Sequence, residues 1–110
     1  MMEKNVLSGK SILAIARRFR VLGEPQRLRI LSALESGEKS VNEIAGALDA
    51  TQSNVSRHLS ALSQAGLVNR RRAGTNAYYS IADPVVFRLC ELVCGQPKHK
   101  DKAGSRYLRI

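Results

Sequence analysis

The sequence predicts a small α+β domain that is mostly α-helical, with about five helices and one β-hairpin. Three observations predict it. Apolar residues recur at helical spacing through most of the first 65 residues, two short extended runs flank a turn sequence near residue 75, and an Asp-Pro pair begins a last apolar helix. The 110 residues suit one domain over residues 1–95, followed by a flexible basic tail over residues 96–110.

The first two helices are predicted over residues 11–22 and 25–35. In the first helix the apolar residues share one face because they are three or four positions apart. They are Ile12, Ile15, Phe19 and Leu22. Gly23-Glu24 interrupts this pattern, and Pro25 suits the first turn of the second helix, which Ser36-Gly37 ends.

A short third helix and a longer fourth helix follow, separated by the tight turn Asp49-Ala50. Ser40 and Glu43 match a capping box, in which each side chain accepts a hydrogen bond from the other residue's backbone N–H. Thr51 is a favourable N-cap for the fourth helix, which is predicted over residues 52–65. The inward residues of that helix are Val55, Leu59 and Leu62.

The spacing of apolar residues then changes to that of strands. Residues 67–72 and 77–81 are predicted to be extended, and residues 73–76 have the composition of a turn, so this segment forms a β-hairpin. Asp83-Pro84 is predicted to supply the N-cap and the first residue of a last helix, which Gly95 ends. Two helices joined by a tight turn and followed by an arginine-rich hairpin, or wing, form the winged helix-turn-helix arrangement.

The composition agrees with a nucleic-acid partner. Eighteen Lys and Arg residues against nine Asp and Glu residues give a formal net charge of +9, and cations near phosphates release condensed counterions. A solvated basic surface is the alternative explanation of this charge. No aromatic platform for stacking single-stranded bases is evident, so double-stranded DNA is the expected partner.

The fourth helix has the residue types that major-groove recognition needs. A helical projection places polar side chains opposite the apolar face, with amides at the N-terminal end. Gln and Asn can pair with adenine, Arg with guanine, and Ser with phosphate. His58 lies beside the apolar face, which favours a packed or phosphate-contacting histidine over one that reads bases. The candidate DNA-binding residues of this helix are Gln52, Ser53, Asn54, Ser56, Arg57 and His58.

The wing adds Arg70, Arg71 and Arg72 to these candidates. In a strand, Arg70 and Arg72 share one face and Arg71 takes the other. Wing arginines commonly bind phosphates or enter the minor groove, although a charged edge strand that resists aggregation is the alternative. Tyr78 and Tyr79 point to opposite faces, so one of them is expected to pack on the core.

Residues 48–62, 65–68, 78–81 and 22–31 resemble the ArsR/SmtB metalloregulators, in the order which that family has. The resemblance implies a homodimer built from the first and last helices, which binds an operator as a repressor and is released by an inducer. It also implies which residues of the fourth helix contact DNA. These are Gln52, Ser53, Ser56, Arg57 and His58.

The chain departs from this family at its sensor sites. Where the arsenic-sensing branch has two cysteines flanking a valine, this chain has Ser40-Val41-Asn42. The family's zinc site on the last helix needs Asp, His and Glu, and this helix has Asp83 and Glu91 without a histidine. The second helix also lacks the cysteine that the family's persulfide sensors use.

Cys90 and Cys94 are four residues apart and therefore lie on one face of the last helix. They are expected to be free thiols in a reducing cytoplasm. One interpretation makes them small buried hydrophobic residues. The other makes them a sensor that reacts with thiol-reactive compounds or binds a soft ion such as As(III) as the inducer. No other cofactor is expected.

The sequence therefore predicts a homodimeric, sequence-specific transcriptional repressor. A cytoplasmic protein without a membrane partner is expected, because neither a signal peptide nor a bilayer-spanning segment is evident. The alternatives are a winged-helix regulator that senses no metal, and a protein-interaction module. An enzyme is not expected, since Ser56 and His58 do not face each other on a helix and no carboxylate pair or phosphate-binding glycine loop is present.

Overall fold

The computed structural model describes residues 8–95, and it confirms the predicted α+β architecture. Its helices are α1 (Gly9–Leu22), α2 (Pro25–Leu34), α3 (Val41–Leu48), α4 (Gln52–Gln64) and α5 (Val85–Cys94). Its strands are β1 (Lys39–Ser40), β2 (Val68–Ala73) and β3 (Asn76–Ile81). The predicted basic tail, residues 96–110, lies outside the described residues.

The predicted caps define where α3 and α4 begin. The Ser40 Oγ accepts from the Glu43 backbone N–H at 3.1 Å, and a Glu43 carboxylate oxygen accepts from the Ser40 N–H at 2.8 Å. The Thr51 Oγ1 accepts from the Asn54 N–H at 3.1 Å. Asp49, between the two helices, has φ of 54° and ψ of 47°, a left-handed conformation that Asp adopts more readily than most residues. The caps and this turn together set the direction of α4 relative to α3.

The wing belongs to a three-stranded antiparallel sheet, whereas the sequence predicted two strands. The strand order is β1-β3-β2, and β1 places Lys39 opposite Tyr79 and Ser40 opposite Tyr78. A strand of two residues has no alternation of polar and apolar side chains, which is why the sequence pattern did not predict it.

The hairpin turn is shorter than the predicted residues 73–76, because Ala73 and Asn76 pair across the ladder. Only Gly74 and Thr75 connect the two strands. Gly74 has φ of +66° and Thr75 is not among the positive-φ residues, which is typical of a type II′ turn with glycine at its first central position. Both strands therefore extend one residue closer to the wing tip than predicted.

The core is built around the apolar face of α4, as predicted. Val55, Leu59 and Leu62 are each 0% exposed. They lie in one cluster with residues of α2, α3, the sheet and α5, namely Ile30, Leu31, Leu34, Ile44, Ala45, Val68, Tyr79 and Val86. Tyr79 is thus the tyrosine that packs on the core. Because neighbours cover the inner face of α4, its polar face is left to the solvent.

The outer helices α1 and α5 expose large apolar side chains. Most residues of α5 are apolar, but in the single chain only its Val86 is buried. The exposed side chains are Ile12, Leu13, Ile15 and Phe19 on α1, and Val85, Leu92 and Val93 on α5. Within residues 8–95, no helix has both the length and the apolarity needed to cross a membrane.

The start of α5 differs by one residue from the prediction. The helix begins at Val85, so Pro84 precedes the first helical residue instead of occupying that position. The Asp83 Oδ1 still accepts a hydrogen bond from the Val85 backbone N–H at 3.0 Å. Asp83 therefore satisfies an N–H group at the helix start, as its predicted capping role requires.

Candidate nucleic-acid interface

Four of the predicted DNA-binding residues lie together on the solvent side of α4. Gln52, Ser53, Ser56 and Arg57 are all exposed, and they line one shallow, open depression. We call these four residues the reading face. Their amide, hydroxyl and guanidinium groups supply donors and acceptors of the kind that pair with base edges and phosphates. Their contact with DNA remains a prediction.

Asn54 lies at the edge of the reading face, partly turned toward α2. Its side chain is half-buried, and its Oδ1 accepts from the Gln26 Nε2 at 3.4 Å. Gln26 in turn accepts from an Arg29 guanidinium nitrogen at 3.2 Å. These contacts leave the Asn54 amide less free to turn toward a base than its position in the sequence suggested.

His58 does not belong to the exposed set, although the family resemblance placed it among the DNA-contacting residues. Its side chain is 4% exposed, and its Nδ1 accepts from the Arg27 Nε at 3.0 Å. Burial lowers the pKa of His58 below its ordinary value, and the cations of Arg57 and Arg27 lower it further, against a smaller opposite effect of Glu24. The physical reason for the correction is thus that α2 covers this side of α4.

Two of the three wing arginines are held by neighbouring side chains. Arg71 makes a two-pronged ion pair with Glu38, with both N–O distances at 2.9 Å, and its guanidinium lies 5.0 Å from the centre of the Tyr78 ring. The hydrogen bond from Arg71 lowers the pKa of the Glu38 carboxyl. Arg70 donates its Nε–H to the Tyr79 hydroxyl at 3.1 Å. Glu38 was not predicted as a partner of Arg71 from the sequence, because the two residues are 33 positions apart.

Arg72 is the wing arginine that is free to bind a ligand. It is exposed and has no side-chain partner within residues 8–95. Arg70 and Arg72 share one face of β2, as predicted from the alternation of side chains. The register places Arg70 opposite Tyr79 and Arg72 opposite Ala77, two pairs nearer the tip.

Cys90 and Cys94 line an apolar cavity between α1, α2 and α5. The cavity has a volume of about 380 Å³, which is in the range of small-molecule sites. Its other lining residues are mainly apolar and include Phe19, Leu31 and Phe87. Both cysteines are half-buried and neither forms a disulfide. We call this space the thiol cavity.

The environment of Cys90 favours the neutral thiol. Burial raises the pKa of Cys90, and the neighbouring Cys94 and Glu91 raise it further. A thiol of this kind reacts slowly with electrophiles, because the thiolate is the nucleophile. Within the described part of the chain, no three side chains of the His, Cys, Asp and Glu types are grouped closely enough to hold a metal ion. A soft ion here would have the two sulfurs as its ligands from this chain.

The sequence matches one family model and is similar to known regulators of transcription. Residues 24–70 match the family model described as bacterial regulatory protein, arsR family. A transcriptional repressor SmtB homolog from Synechocystis is 36% identical over 90% of this chain and 75% of its own length. The match covers α2, α3 and α4 as well as the outer elements, so it is not confined to the helix-turn-helix.

Solved structures have the same fold. The homodimeric winged helix-turn-helix DNA-binding domain of a possible ArsR-family regulator from Mycobacterium bovis is 41% identical, with a TM-score of 0.68. That comparison covers 76% of this chain and 77% of the other. The AntR antimony-specific transcriptional repressor is 30% identical, with a TM-score of 0.71 over 86% of each chain.

Proposed function

The chain belongs to the ArsR family of bacterial winged helix-turn-helix regulators, and on this premise we propose that it is a homodimeric, sequence-specific repressor of transcription. Regulators of this family are DNA-binding proteins and not enzymes. The main support for the proposal is the reading face, which is exposed on α4 next to a wing with three arginines.

Each part of this surface has a separate role in the proposal. The reading face enters the major groove, where Gln52 and Arg57 contact base edges while Ser53 and Ser56 contact phosphates. The wing follows the neighbouring backbone through Arg72. A two-fold dimer then places two α4 helices in successive major grooves, about 34–36 Å apart, so the operator should contain two half-sites roughly 10 base pairs apart.

The apolar outer surfaces of α1 and α5 support the dimer. Leu13 is 71% exposed, Leu92 69% and Val93 74%, and such side chains rarely cluster on the surface of a monomer. We propose that α1 and α5 of one copy cover those of a second copy. The similar domain from Mycobacterium bovis is homodimeric, which supports the dimer itself.

DNA recognition can be tested by selecting fragments of genomic DNA with the purified full chain and measuring affinity for the selected duplex. Arg57→Ala should cost about 1–3 kcal/mol of binding free energy and relax specificity at one base pair. Arg17→Ala removes the same charge from an exposed position on α1 and is the matched control. An affinity that is the same for every sequence, or that does not weaken with salt, would contradict the proposal. A protein that binds no duplex would favour a protein-interaction module.

The dimer can be tested by light scattering at fixed protein concentration. Leu92→Glu should shift the protein toward the monomer, because it places a charge in the proposed apolar contact. Arg57→Ala, on the reading face, should leave the dimer intact. A monomeric wild type, or a Leu92→Glu variant that remains dimeric, contradicts the proposed interface.

For the inducer we propose a soft metal or metalloid ion such as As(III), bound by Cys90 and Cys94. The support is the placement of both thiols in one cavity and the antimony-specific repressor among the similar structures. A cation such as Cd²⁺ would displace one proton from each thiol, so its binding should strengthen as pH rises. Arsenous acid, As(OH)₃, would instead exchange one hydroxide for each thiolate, and the thiol protons would leave with the hydroxides as two water molecules. The ion would then change the packing of α5, where the proposed dimer contact lies.

The inducer can be tested by titrating arsenite or cadmium into the protein–DNA complex. The wild type should release DNA, and the Cys90→Ser/Cys94→Ser double variant should not. A response that survives in the double variant removes the cysteines from the mechanism. If neither ion releases DNA from the wild-type protein, the regulator does not sense soft metals.

A further inference from the structure

A buried side-chain contact joins the back of the recognition helix to α2. His58 is the single buried polar side chain within residues 8–95, and it lies on α4 one residue after Arg57 of the reading face. Its Nδ1 accepts the Nε–H of Arg27 at 3.0 Å. Arg27 is itself anchored, because one of its terminal nitrogens donates to the Val21 carbonyl at 3.3 Å. The contact therefore ties α4 to the end of α1 as well as to α2.

This hydrogen bond exists for only one protonation state of His58. The Nδ1 can accept a proton from Arg27 only while it has a free lone pair, so the neutral ring must hold its proton on Nε2. A protonated imidazolium has N–H groups on both nitrogens and would direct one of them at the guanidinium of Arg27. Protonation thus exchanges an attractive contact for a clash of two donors and two like charges.

The other charged groups around His58 do not compensate for that change. Arg27 faces it from α2 and Arg57 adds a second cation from α4. Within residues 8–95, Glu24, before α2, is the one carboxylate that favours the charged ring. Burial also opposes the charged form. A protonated His58 would therefore have to leave its position, and α4 would lose this side-chain contact with α2.

We propose that Arg27 and His58 are a positioning pair for DNA binding, and that the protein binds DNA tightly only while His58 is unprotonated. The inference rests on the proposed function, since it concerns how the reading face is held. DNA binds preferentially to the form of the protein in which α4 is correctly placed, and in that form the His58 ring is neutral. DNA affinity should therefore fall as the pH falls below the pKa of His58.

The sign of this effect separates two roles of the histidine. A histidine that contacts a phosphate binds DNA more tightly when protonated, because the duplex attracts the extra positive charge. A histidine that accepts a hydrogen bond behind the helix gives the opposite result. Since one proton per subunit is coupled to binding, the loss for a homodimer should approach about a hundredfold per pH unit at the most acidic values.

The experiment uses the full chain and a duplex that it selects from a random-sequence library at about pH 7.5. Affinity is then measured between roughly pH 5 and pH 8 for wild type, His58→Gln and His99→Gln. The Gln side-chain oxygen at position 58 can still accept from Arg27 but does not titrate in this range. His99→Gln removes the other histidine of the chain and is the matched control. Circular dichroism checks that every variant is folded.

We expect the affinity of the wild type and His99→Gln to fall between about pH 7 and pH 5, with a slope that steepens toward the acidic end, and the affinity of His58→Gln to be nearly constant. An affinity that rises on acidification, or a fall that persists in His58→Gln, overturns the inference.

If His58→Gln does not fold, the NMR titration of the His58 ring in wild type replaces it. A pKa that is lower in the DNA complex than in the free protein supports the inference, and a higher one overturns it. Failure to select any duplex at pH 7.5 instead overturns the proposed function, and the inference with it.

Discussion

Arg72→Ala should make DNA affinity less dependent on salt concentration, whereas the neighbouring Arg71→Ala should change this salt dependence much less. The two substitutions remove the same charge from adjacent positions of β2. The difference comes from Glu38, whose carboxylate holds Arg71 through two contacts of 2.9 Å. Arg72 has no such partner within residues 8–95. A phosphate must therefore compete with Glu38 for Arg71 but can bind Arg72 directly.

The expected size follows from the number of phosphates that the protein neutralises. Each phosphate contact contributes about 0.9 to the slope of log affinity against log salt concentration. A homodimer carries the substitution in both subunits, so loss of one contact per subunit reduces the fall in affinity between about 50 and 200 mM salt by a factor of about 12. Arg72→Ala should show this full change. Arg71→Ala should show only a small part of it, because the net gain of an arginine already paired with a carboxylate is small.

The assay is fluorescence anisotropy of a labelled duplex over that salt range, with wild type and both variants at one pH near neutrality. Glu38→Gln is the informative third variant. It removes the charge that holds Arg71, so the salt slope should become steeper than that of the wild type. The lowered pKa of Glu38 means that this carboxylate is ionised throughout the assay.

Equal losses of slope in Arg71→Ala and Arg72→Ala would refute this reasoning, because they would show that the ion pair does not restrict Arg71. An unchanged slope in Arg72→Ala would show that the tip of β2 does not contact phosphate. Either result can be read without knowing the biological operator, since the salt slope is largely independent of sequence.

Three further predictions concern stability, each measured by urea denaturation at fixed protein concentration. Thr51→Ala should lower the free energy of unfolding by about 1 kcal/mol, because the Asn54 N–H loses its acceptor. Thr51→Ser keeps a hydroxyl acceptor and should lose much less stability. Equal losses in both variants would contradict the capping role. Leu62→Ala should cost about 2–5 kcal/mol, since that side chain is 0% exposed, and a loss below about 1 kcal/mol would mean that the site collapses around the smaller residue. The pKa of His58 is lowered in the folded state, so the unfolded chain binds this proton more readily, and the free energy of unfolding should fall as pH drops below about 6.5. In His58→Gln the free energy of unfolding should depend less on pH in this range. An identical pH dependence in both proteins would contradict the prediction.

The features that could be predicted from the sequence depend on residues that are close together along the chain. The capping box of α3 and the cap of α4 join residues three positions apart. The inward face of α4 follows from the helical period, and the same period places Gln52, Ser53, Ser56 and Arg57 outside. Gly74 indicated the hairpin through its turn chemistry, although the turn proved two residues shorter than expected.

The features that could not be predicted join distant residues through tertiary packing. Arg27 and His58 are 31 positions apart, and Arg71 and Glu38 are 33 positions apart. No local period or propensity brings such pairs together, so the sequence could suggest a packed histidine but not its partner. The strand β1 was missed for a related reason, because two residues become a strand only when β3 lies beside them.

Ser40 has two tasks, since it lies opposite Tyr78 in the sheet and also caps α3. One residue inserted at this junction would separate the helix start from its strand. Gly74 and Thr75, at the tip of the wing, have only one structural role, which is to connect β2 to β3. Relatives or engineered variants can therefore lengthen the wing at its tip and extend the footprint along the duplex, while the helix that reads the bases stays where it is.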